Sequence, residues 1–189
     1  MTGRLRITGG ALSRRLFNVP PAAERGILRP TSDRVREGLF SSLQSRFDFD
    51  ALRVADLCCG SGALGFEALS RGAAHVTFVD MDRRTMAVVA DNARDLDVVA
   101  RCTFITGPVG AFLDRPPPQG GFGMVFFDPP YAMVLDAATR AGLARQCAPG
   151  GVLVVERASK TADLPFEGLS IVDERRYGDT RLGIWQRQE

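Results

Sequence analysis

Three glycines and a nearby aspartate form the first candidate site. The stretch "DLCCGSGALG" begins at Asp56, and its glycines Gly60, Gly62 and Gly65 fit the pattern G-x-G-x-x-G. Such a turn lets a ligand approach the backbone closely, and a helix that starts there offers free N–H groups. The pattern alone is weak, because any tight strand-to-helix turn can carry the same glycines.

A second acid stands where a bound ribose would lie. Asp80 ends the apolar stretch "HVTFVD", 20 residues after Gly60. A carboxylate at this place can accept two hydrogen bonds from a ribose diol. Because turn, helix and acid occur together in the right order, the sequence predicts nucleoside binding.

The residue before the turn favours one nucleoside cofactor over another. NAD and S-adenosylmethionine both carry an adenosine ribose, but the pyrophosphate of NAD prefers N–H groups without nearby negative charge. Asp56 lies four residues before the first glycine, where it would repel a pyrophosphate and can help hold an ammonium group. The sequence therefore favours S-adenosylmethionine as the cofactor, and a nicotinamide-dependent oxidoreductase is the alternative.

The stretch "FFDPPY" (126–131) carries groups that suit methylation of an exocyclic amine. Asp128 and the carbonyl of Pro129 can accept hydrogen bonds from the two N–H groups and orient the nitrogen lone pair. Proline has a fixed φ and no N–H, so that carbonyl is rigidly aimed. Tyr131 can stack on the base, which is worth about 1–3 kcal/mol. A direct in-line transfer follows, in which positioning supplies most of the catalysis.

Strands and helices alternate around both motifs. Apolar strands are expected at 53–58, 75–80, 102–106, 124–128 and 151–156, with two more within 169–187, and helices at 63–72, 83–96, 109–114 and 134–145. Apolar strands that alternate with helices predict a doubly wound α/β fold with a seven-stranded, mostly parallel sheet and an antiparallel edge. Both motifs would then open on the carboxyl edge of the sheet, where such folds bind ligands.

The N-terminal quarter is basic and the remainder is slightly acidic. Residues 1–46 have a net charge of +6 and the rest −4, which suggests a polyanion as partner. The sequence predicts a hairpin of strands at 4–8 and 14–19 and a helix at 31–47, with Arg34 and Arg36 off its apolar face. The candidate residues for contacts with a nucleic acid are Arg4, Arg6, Arg14, Arg15 and Arg34.

Other function classes find little support in the composition. The four cysteines form no C-x-x-C pair, and with a single histidine a metal site is not expected. No apolar run approaches 18 residues, and the N-terminus lacks the apolar region of a signal peptide. We therefore expect a cytoplasmic protein with reduced thiols.

The chain resembles the bacterial small-subunit ribosomal RNA guanine-N2 methyltransferases, the RsmD family. The resemblance covers nearly the whole chain and includes "RITGGALSRRL", "LRPTSDRVREGLF" (28–40), the segment 56–82, "FFDPPY" and "YGDTRL" (177–182). The glycine turn and D-P-P-Y occur in many amino-methyltransferases, whereas "RPTSDRVRE" is the more family-specific part.

The resemblance implies a role for each candidate residue. It implies a class I S-adenosylmethionine methyltransferase fold and a guanine of ribosomal RNA as the acceptor, so the five arginines named above would bind RNA. We expect the methyltransferase domain at 31–189 behind a basic hairpin and loop extension at 1–30. We also expect a monomer that acts on RNA within a 30S subunit or an assembly intermediate. The cofactor-binding residues would be Asp56, Cys58, Gly60, Ser61 and Gly62 at the methionine end, Asp80 at the ribose and Met81 on the adenine. Asp128, Pro129 and Tyr131 would hold the target base.

Two departures from the family pattern stand out. Cys58 and Cys59 replace the usual Phe-Ala, which we interpret as a packing change. Pro108 occupies the place of an acid that accepts a hydrogen bond from the adenine amine, so that contact would fall to nearby backbone atoms.

Other substrates and functions remain as alternatives. The two acceptors of Asp128 and Pro129 would equally serve the amine of a DNA base or a glutamine amide, and a non-catalytic RNA-binding module is a further alternative. Methylation at cytosine C5 would need a cysteine nucleophile, and the cysteines are not obviously placed for it.

Overall fold

The computed structural model describes residues 3–21, 33–130, 132–161 and 165–189. The described strands are β1 (Arg4–Arg6), β2 (Leu16–Asn18), β3 (Arg53–Leu57), β4 (His75–Asp80), β5 (Cys102–Thr106), β6 (Phe122–Phe127), β7 (Cys147–Ala158), β8 (Leu169–Tyr177) and β9 (Thr180–Arg187). The described helices are α1 (Asp33–Gln44), α2 (Ala63–Ser70), α3 (Arg83–Asp95), α4 (Val109–Leu113) and α5 (Ala137–Gln146), with a 3₁₀ turn at Val99–Arg101.

Seven strands form one sheet in the order β5-β4-β3-β6-β7-β9-β8. The first five of these pair in parallel, and β9 runs antiparallel to both of its neighbours. This confirms the predicted seven-stranded, mostly parallel α/β fold. The antiparallel strand is the last in the chain, and β8 forms the outer edge beyond it.

Helices and hairpin cover the two faces of the sheet. On the first face, apolar residues of β1, β2, α1, α2 and α3 pack in one cluster with side chains such as Val54 and Phe126. On the second face, α4 and α5 pack on alternate strand residues such as Leu57 and Phe127. Because both faces are covered, the parallel strands can be almost wholly apolar, as the sequence indicated.

The hairpin β1–β2 belongs to the first core. Ile7 and Phe17 are buried, and the Phe17 ring lies 5.4 Å from that of Phe66 in α2. Asn92 of α3 accepts from the Asn18 N–H at 2.9 Å and donates to its carbonyl at 2.8 Å. The division into an extension and a methyltransferase domain at residue 30 stays a prediction, since residues 22–32 lie outside the described chain.

The face that α1 turns to the core differs from the expected one. Its buried residues include Arg36, Leu39, Phe40 and Leu43, which recur at the three- and four-residue spacing of one helix face. Arg36 is therefore inside the protein, and the prediction that it lies off the apolar face is wrong. Arg34 is exposed, as expected.

Gly65 allows α2 to lie close against β4. A Cβ at this position would come within 2.3 Å of Cε1 of Phe78 and 2.9 Å of Cγ1 of Val76. The third glycine of the motif thus brings α2 onto the sheet. Among the helices of the described residues, none has the length and apolar character that crossing a membrane requires.

Candidate active site at the carboxyl edge of the sheet

The ends of β3, β4 and β6 bring the predicted motifs together. These strands are neighbours and parallel, so their carboxyl ends meet at one edge. The Asp128 N–H donates to the Leu57 carbonyl at 3.3 Å, and the Cys59 N–H donates to the Val79 carbonyl at 3.0 Å. The glycine turn, Asp80 and the first residues of D-P-P-Y therefore share one crevice edge.

Left-handed backbone angles shape the turn between β3 and α2. Cys58, Gly60 and Gly62 have φ values of 56°, 52° and 74°, a region that glycine enters without steric cost but cysteine does not. The Gly62 N–H donates to the Cys59 carbonyl at 2.7 Å, and Gly62 then caps α2. Ser61 lies half-buried within this turn.

Asp56 lies beneath the turn. It is 1% exposed, and its Oδ2 accepts from the Gly65 N–H at 2.9 Å. Burial is the main reason that the pKa of Asp56 rises to about 8, against the lowering effect of the Gly65 hydrogen bond. Asp56 thus fixes the first turn of α2 and places a titrating carboxyl under the loop that was predicted to bind the cofactor.

Asp80 joins the turn to the end of β4. Its Oδ2 accepts from the Gly60 N–H at 3.0 Å, and its Oδ1 accepts from the Asp82 N–H at 3.0 Å. Each carboxylate oxygen has two lone pairs, so one more acceptor site remains on each oxygen. The predicted ribose contact is compatible with these bonds.

Asp128 is half-buried beside two other acids. Its pKa lies well above the usual range of an aspartate, first because of burial and then because of the negative charges of Glu156 and Asp56. Pro129 is buried and Pro130 is exposed. Tyr131, the predicted stacking residue, lies outside the described residues.

The two cysteines of the turn have different surroundings. Cys58 is half-buried, and its pKa rises to about 12 through burial and through the negative charges of Asp80, Asp128 and Asp56. Cys59 is buried, with its Sγ 3.7 Å from Sδ of Met86. Burial also raises its pKa well above the usual value. Such thiols stay protonated, which disfavours a nucleophilic role.

The predicted adenine end is formed by the residues after β4 and β5. Met81 directly follows Asp80 and is 75% exposed. The Gly107 N–H donates to the Asp80 carbonyl at 2.9 Å, so Pro108 begins α4 next to this edge. A Cβ on Gly107 would meet nothing within 4 Å, which leaves open space beside the backbone.

The five predicted RNA-binding arginines are exposed but lie in different places. Arg34 lies at the start of α1, one turn before Gly38. A Cβ on Gly38 would come within 3.0 Å of the hydroxyl oxygen of Tyr177, the last residue of β8, so Arg34 lies toward the carboxyl edge that holds the candidate site. Arg15 donates to the carbonyls of Asp95 and Leu96 at the far end of α3. The structure therefore places Arg15 at the opposite edge of the sheet.

The remaining three arginines belong to the hairpin. Arg6 pairs with Asp33 of α1 at 3.5 Å and keeps more than half of its side chain exposed. Arg4 begins β1 at the end of the hairpin away from its turn, and Arg14 adopts φ 70° within the turn, next to Arg15. Arg14 thus also lies far from the candidate site.

A buried charge cluster that the sequence analysis did not identify joins the hairpin, α1 and α2. The Glu67 carboxylate, 0% exposed, accepts from the Thr8 N–H at 2.8 Å, from Arg36 at 3.4 Å and from Arg71. Arg36 also donates to Asp33 and to the Arg6 carbonyl. The only signal in the sequence was an acid inside the apolar helix "ALGFEALS".

Comparisons with known proteins agree with this arrangement. A family model described as conserved hypothetical protein 95 matches residues 5–186. The chain belongs to this family. Ribosomal RNA small subunit methyltransferase D from Haemophilus influenzae is a relative with 30% identity over 187 residues, 97% of this chain and 94% of that one. The family that the sequence indicated is thereby confirmed.

Solved structures show the same fold. The Escherichia coli protein yhhF has 31% identity and a TM-score of 0.83, over 98% of this chain and 99% of that one. Magnesium protoporphyrin IX methyltransferase from Synechocystis, 20% identical with a TM-score of 0.64 over 82% and 79% of the two chains, shares the fold alone. That enzyme was solved with bound S-adenosylmethionine, the cofactor that the sequence predicts here. The class I methyltransferase fold is confirmed.

Proposed function

We propose that this protein transfers the methyl group of S-adenosylmethionine directly to the exocyclic N2 amine of a guanine in small-subunit ribosomal RNA. The observation that carries the proposal is the meeting of the glycine turn, Asp80 and Asp128-Pro129 at one edge of the sheet. The Haemophilus relative is named as a small-subunit ribosomal RNA methyltransferase, which supports the substrate class.

The charge of the crevice suits a cationic donor. Asp56 and Asp80 both act on the Cys58 thiol, so two acids lie at the start of the turn that would hold the donor. A sulfonium and an ammonium group favour the ionised form of such acids, and the resulting negative charge attracts them and repels a pyrophosphate. In the proposed complex the methionine end lies along Asp56, Cys58, Gly60, Ser61 and Gly62, the ribose on Asp80, and the adenine against Met81.

The acceptor amine would be held on the β6 side of the donor. Asp128 and the Pro129 carbonyl accept from the two N–H groups, which turns the nitrogen lone pair toward the methyl carbon. Tyr131 stacks on the base in this proposal. The N–C bond forms as the C–S bond breaks, and positioning along this line supplies most of the rate.

The basic residues near the crevice would contact RNA phosphates. Arg34, Arg4 and Arg6 are exposed and belong to the elements joined through Glu67, whereas Arg14 and Arg15 would reach only a more distant part of a large substrate. We propose that the monomer acts on a 30S subunit or an assembly intermediate in the cytoplasm. Affinity that depends on such contacts falls steeply with salt.

Two substitutions separate the donor role from the acceptor role. Asp128→Ala is expected to abolish methyl transfer while S-adenosylmethionine binding, measured by calorimetry, stays at the wild-type level. Asp80→Ala is expected to weaken donor binding, because the ribose and the turn both lose an acceptor. Wild-type turnover in Asp128→Ala, or unchanged donor affinity in Asp80→Ala, would contradict the corresponding assignment.

A further inference from the structure

Lys160 is the only lysine in the chain, and it follows the carboxyl end of β7. Its side chain is exposed. In the sheet, β7 is the neighbour of β6 on the side away from β3 and β4. The residues proposed to bind the donor lie at the ends of β3 and β4, so Lys160 lies on the other side of Asp128. We call this the acceptor side of the crevice, the side of β7, β9 and β8.

The strand β7 continues past the end of β6. The two strands pair up to Phe127 and Val155, whereas β7 runs on to Ala158 and stays paired with β9, where Ala158 lies opposite Thr180. Three further residues of strand extend by about 10 Å. The ends of β7 and β9 therefore form a wall above the level of Asp128, and Lys160 lies at the top of this wall.

The backbone on both sides of Lys160 is held in place. The Ser159 N–H donates to the Asp179 carbonyl at 2.8 Å, in the turn between β8 and β9, and the Thr161 N–H donates to the Ala158 carbonyl at 3.0 Å. The Thr161 carbonyl also accepts from the Arg181 guanidinium at 3.3 Å. Little backbone freedom has to be lost when a ligand binds to a side chain on such a turn.

Arg34 is a second exposed cation on the acceptor side. It lies one turn before Gly38, where an added Cβ would come within 3.0 Å of the Tyr177 hydroxyl oxygen. Tyr177 ends β8, and the turn that follows includes Asp179, whose carbonyl holds the turn of Lys160. The exposed Asp179 thus lies between the two cations, Lys160 and Arg34, on the top of the wall.

The floor of the crevice offers no attraction to a phosphate, because its ionisable groups include the acids Asp56, Asp80 and Asp128. A nucleotide whose base amine reaches Asp128 therefore carries its phosphates outward, to the height of the wall. Phosphate contacts by basic side chains fix the position of a protein on a nucleic acid. An ammonium group is a compact charge with three donors, which suits a phosphate oxygen.

We propose that Lys160 binds a phosphate of the RNA strand that carries the target guanine, and that Arg34 binds a second phosphate across the β8–β9 turn. This inference rests on the proposed function. The strand then runs over the wall on the acceptor side, its guanine reaches down to Asp128, and the donor side stays open to S-adenosylmethionine. Lys160 acts in binding and takes no part in the transfer of the methyl group.

Acetylation of amines tests the contact directly, since Lys160 is the only lysine. The full-length protein is treated with a mild acetylating reagent alone, with S-adenosylmethionine, and with enough small ribosomal subunits to bind all of it, as shown by sedimentation. Mass spectrometry measures the rate at Lys160. We expect bound subunits to slow the acetylation severalfold and S-adenosylmethionine alone to leave it unchanged. An unchanged rate in fully bound protein overturns the proposal.

The salt dependence of the affinity identifies the group that Lys160 contacts. Loss of one phosphate contact with a single strand lowers the slope of log affinity against log salt by about 0.7, so Lys160→Gln should bind about fivefold more weakly at about 0.1 M salt. The KM for the subunits should rise, while kcat and donor affinity stay at the wild-type level. Lys160→Arg keeps the charge and should restore most of the affinity.

The control is Arg53→Gln, which removes an exposed cation at the start of β3, at the opposite edge of the sheet, and should leave slope and affinity unchanged. Equal slopes for Lys160→Gln and wild type overturn the proposal. Protection of Lys160 with an unchanged slope also overturns it, by assigning the contact to a ribosomal protein. If the wild-type protein neither binds small subunits nor methylates their RNA, the proposed function fails too, whereas an unprotected Lys160 in an active complex overturns this inference alone.

Discussion

Removal of the charge of Glu67 should destabilise the whole N-terminal half of the protein. The substitution Glu67→Gln preserves the size of the side chain and one oxygen that can accept from the Thr8 N–H. It leaves Arg36 and Arg71, which are 0% and 4% exposed, without the carboxylate that both contact. Removing one partner of a buried ion pair typically costs about 3–5 kcal/mol.

We expect the lower end of that range for Glu67→Gln, about 3 kcal/mol, because Asp33 still pairs with Arg36 and the amide oxygen replaces one acceptor. In a chain of this length, this loss corresponds to a decrease in Tm of about 6–12 °C. Urea unfolding followed by circular dichroism measures the free energy of unfolding, and a thermal scan measures Tm.

The control is Asp91→Asn, which removes the acid of an exposed pair with Arg94. These side chains are 59% and 60% exposed, and an exposed pair contributes about 0–1 kcal/mol. If Glu67→Gln cost no more than Asp91→Asn, the cluster would not hold the hairpin, α1 and α2 together, and this interpretation of the buried charges would be refuted.

Three further predictions concern the glycine turn. Gly65→Ala should lower the free energy of unfolding by about 1–3 kcal/mol, because the added Cβ would overlap Phe78. The control is Gly110→Ala in α4, where a Cβ meets nothing within 4 Å and the change should be neutral or slightly stabilising. Equal free energies of unfolding for the two variants would contradict this prediction. Cys58, with a pKa of about 12, should react with iodoacetamide at pH 8 far more slowly than free cysteine, and a free-cysteine rate would disprove its protected state. At pH 7 the protein should release protons when S-adenosylmethionine binds, because the positive charge of this donor lowers the pKa of Asp56 from about 8. The product, in which the sulfur is an uncharged thioether, should cause a smaller release. Calorimetry in two buffers measures the proton release for both ligands, and equal release would rule out this coupling.

The sheet and the main motifs could be predicted from local sequence patterns. Four of the five parallel strands, β3 to β6, are short apolar runs that are each followed by a turn and a helix. Asp80 and Asp128 end such runs, so their common edge follows from the parallel topology alone. The donor turn could be predicted for the same reason, since its glycines lie directly between a strand and a helix.

The buried charges could not be predicted in this way. Arg36 shares a helix face with Leu39 and Leu43, but an arginine in such a pattern is ordinarily assigned to the surface. Its burial depends on Glu67, 31 residues later, and on the hairpin.

The position of the arginines shows the same limit. The excess of basic residues indicated a polyanion partner, but composition does not show where each side chain lies. Arg15 bonds with the end of α3, whereas Arg34 lies toward the candidate site. Distances along the chain gave no means of separating them.

Transfer of a labelled methyl group from S-adenosylmethionine tests the central claim most directly. The wild-type protein is incubated with small ribosomal subunits, with naked small-subunit ribosomal RNA and with DNA, and the modified base is mapped. The account predicts label on the N2 amine of a guanine in ribosomal RNA, and no label with Asp128→Ala. Label on a DNA base, on a ring carbon, or on none of the three substrates would contradict it.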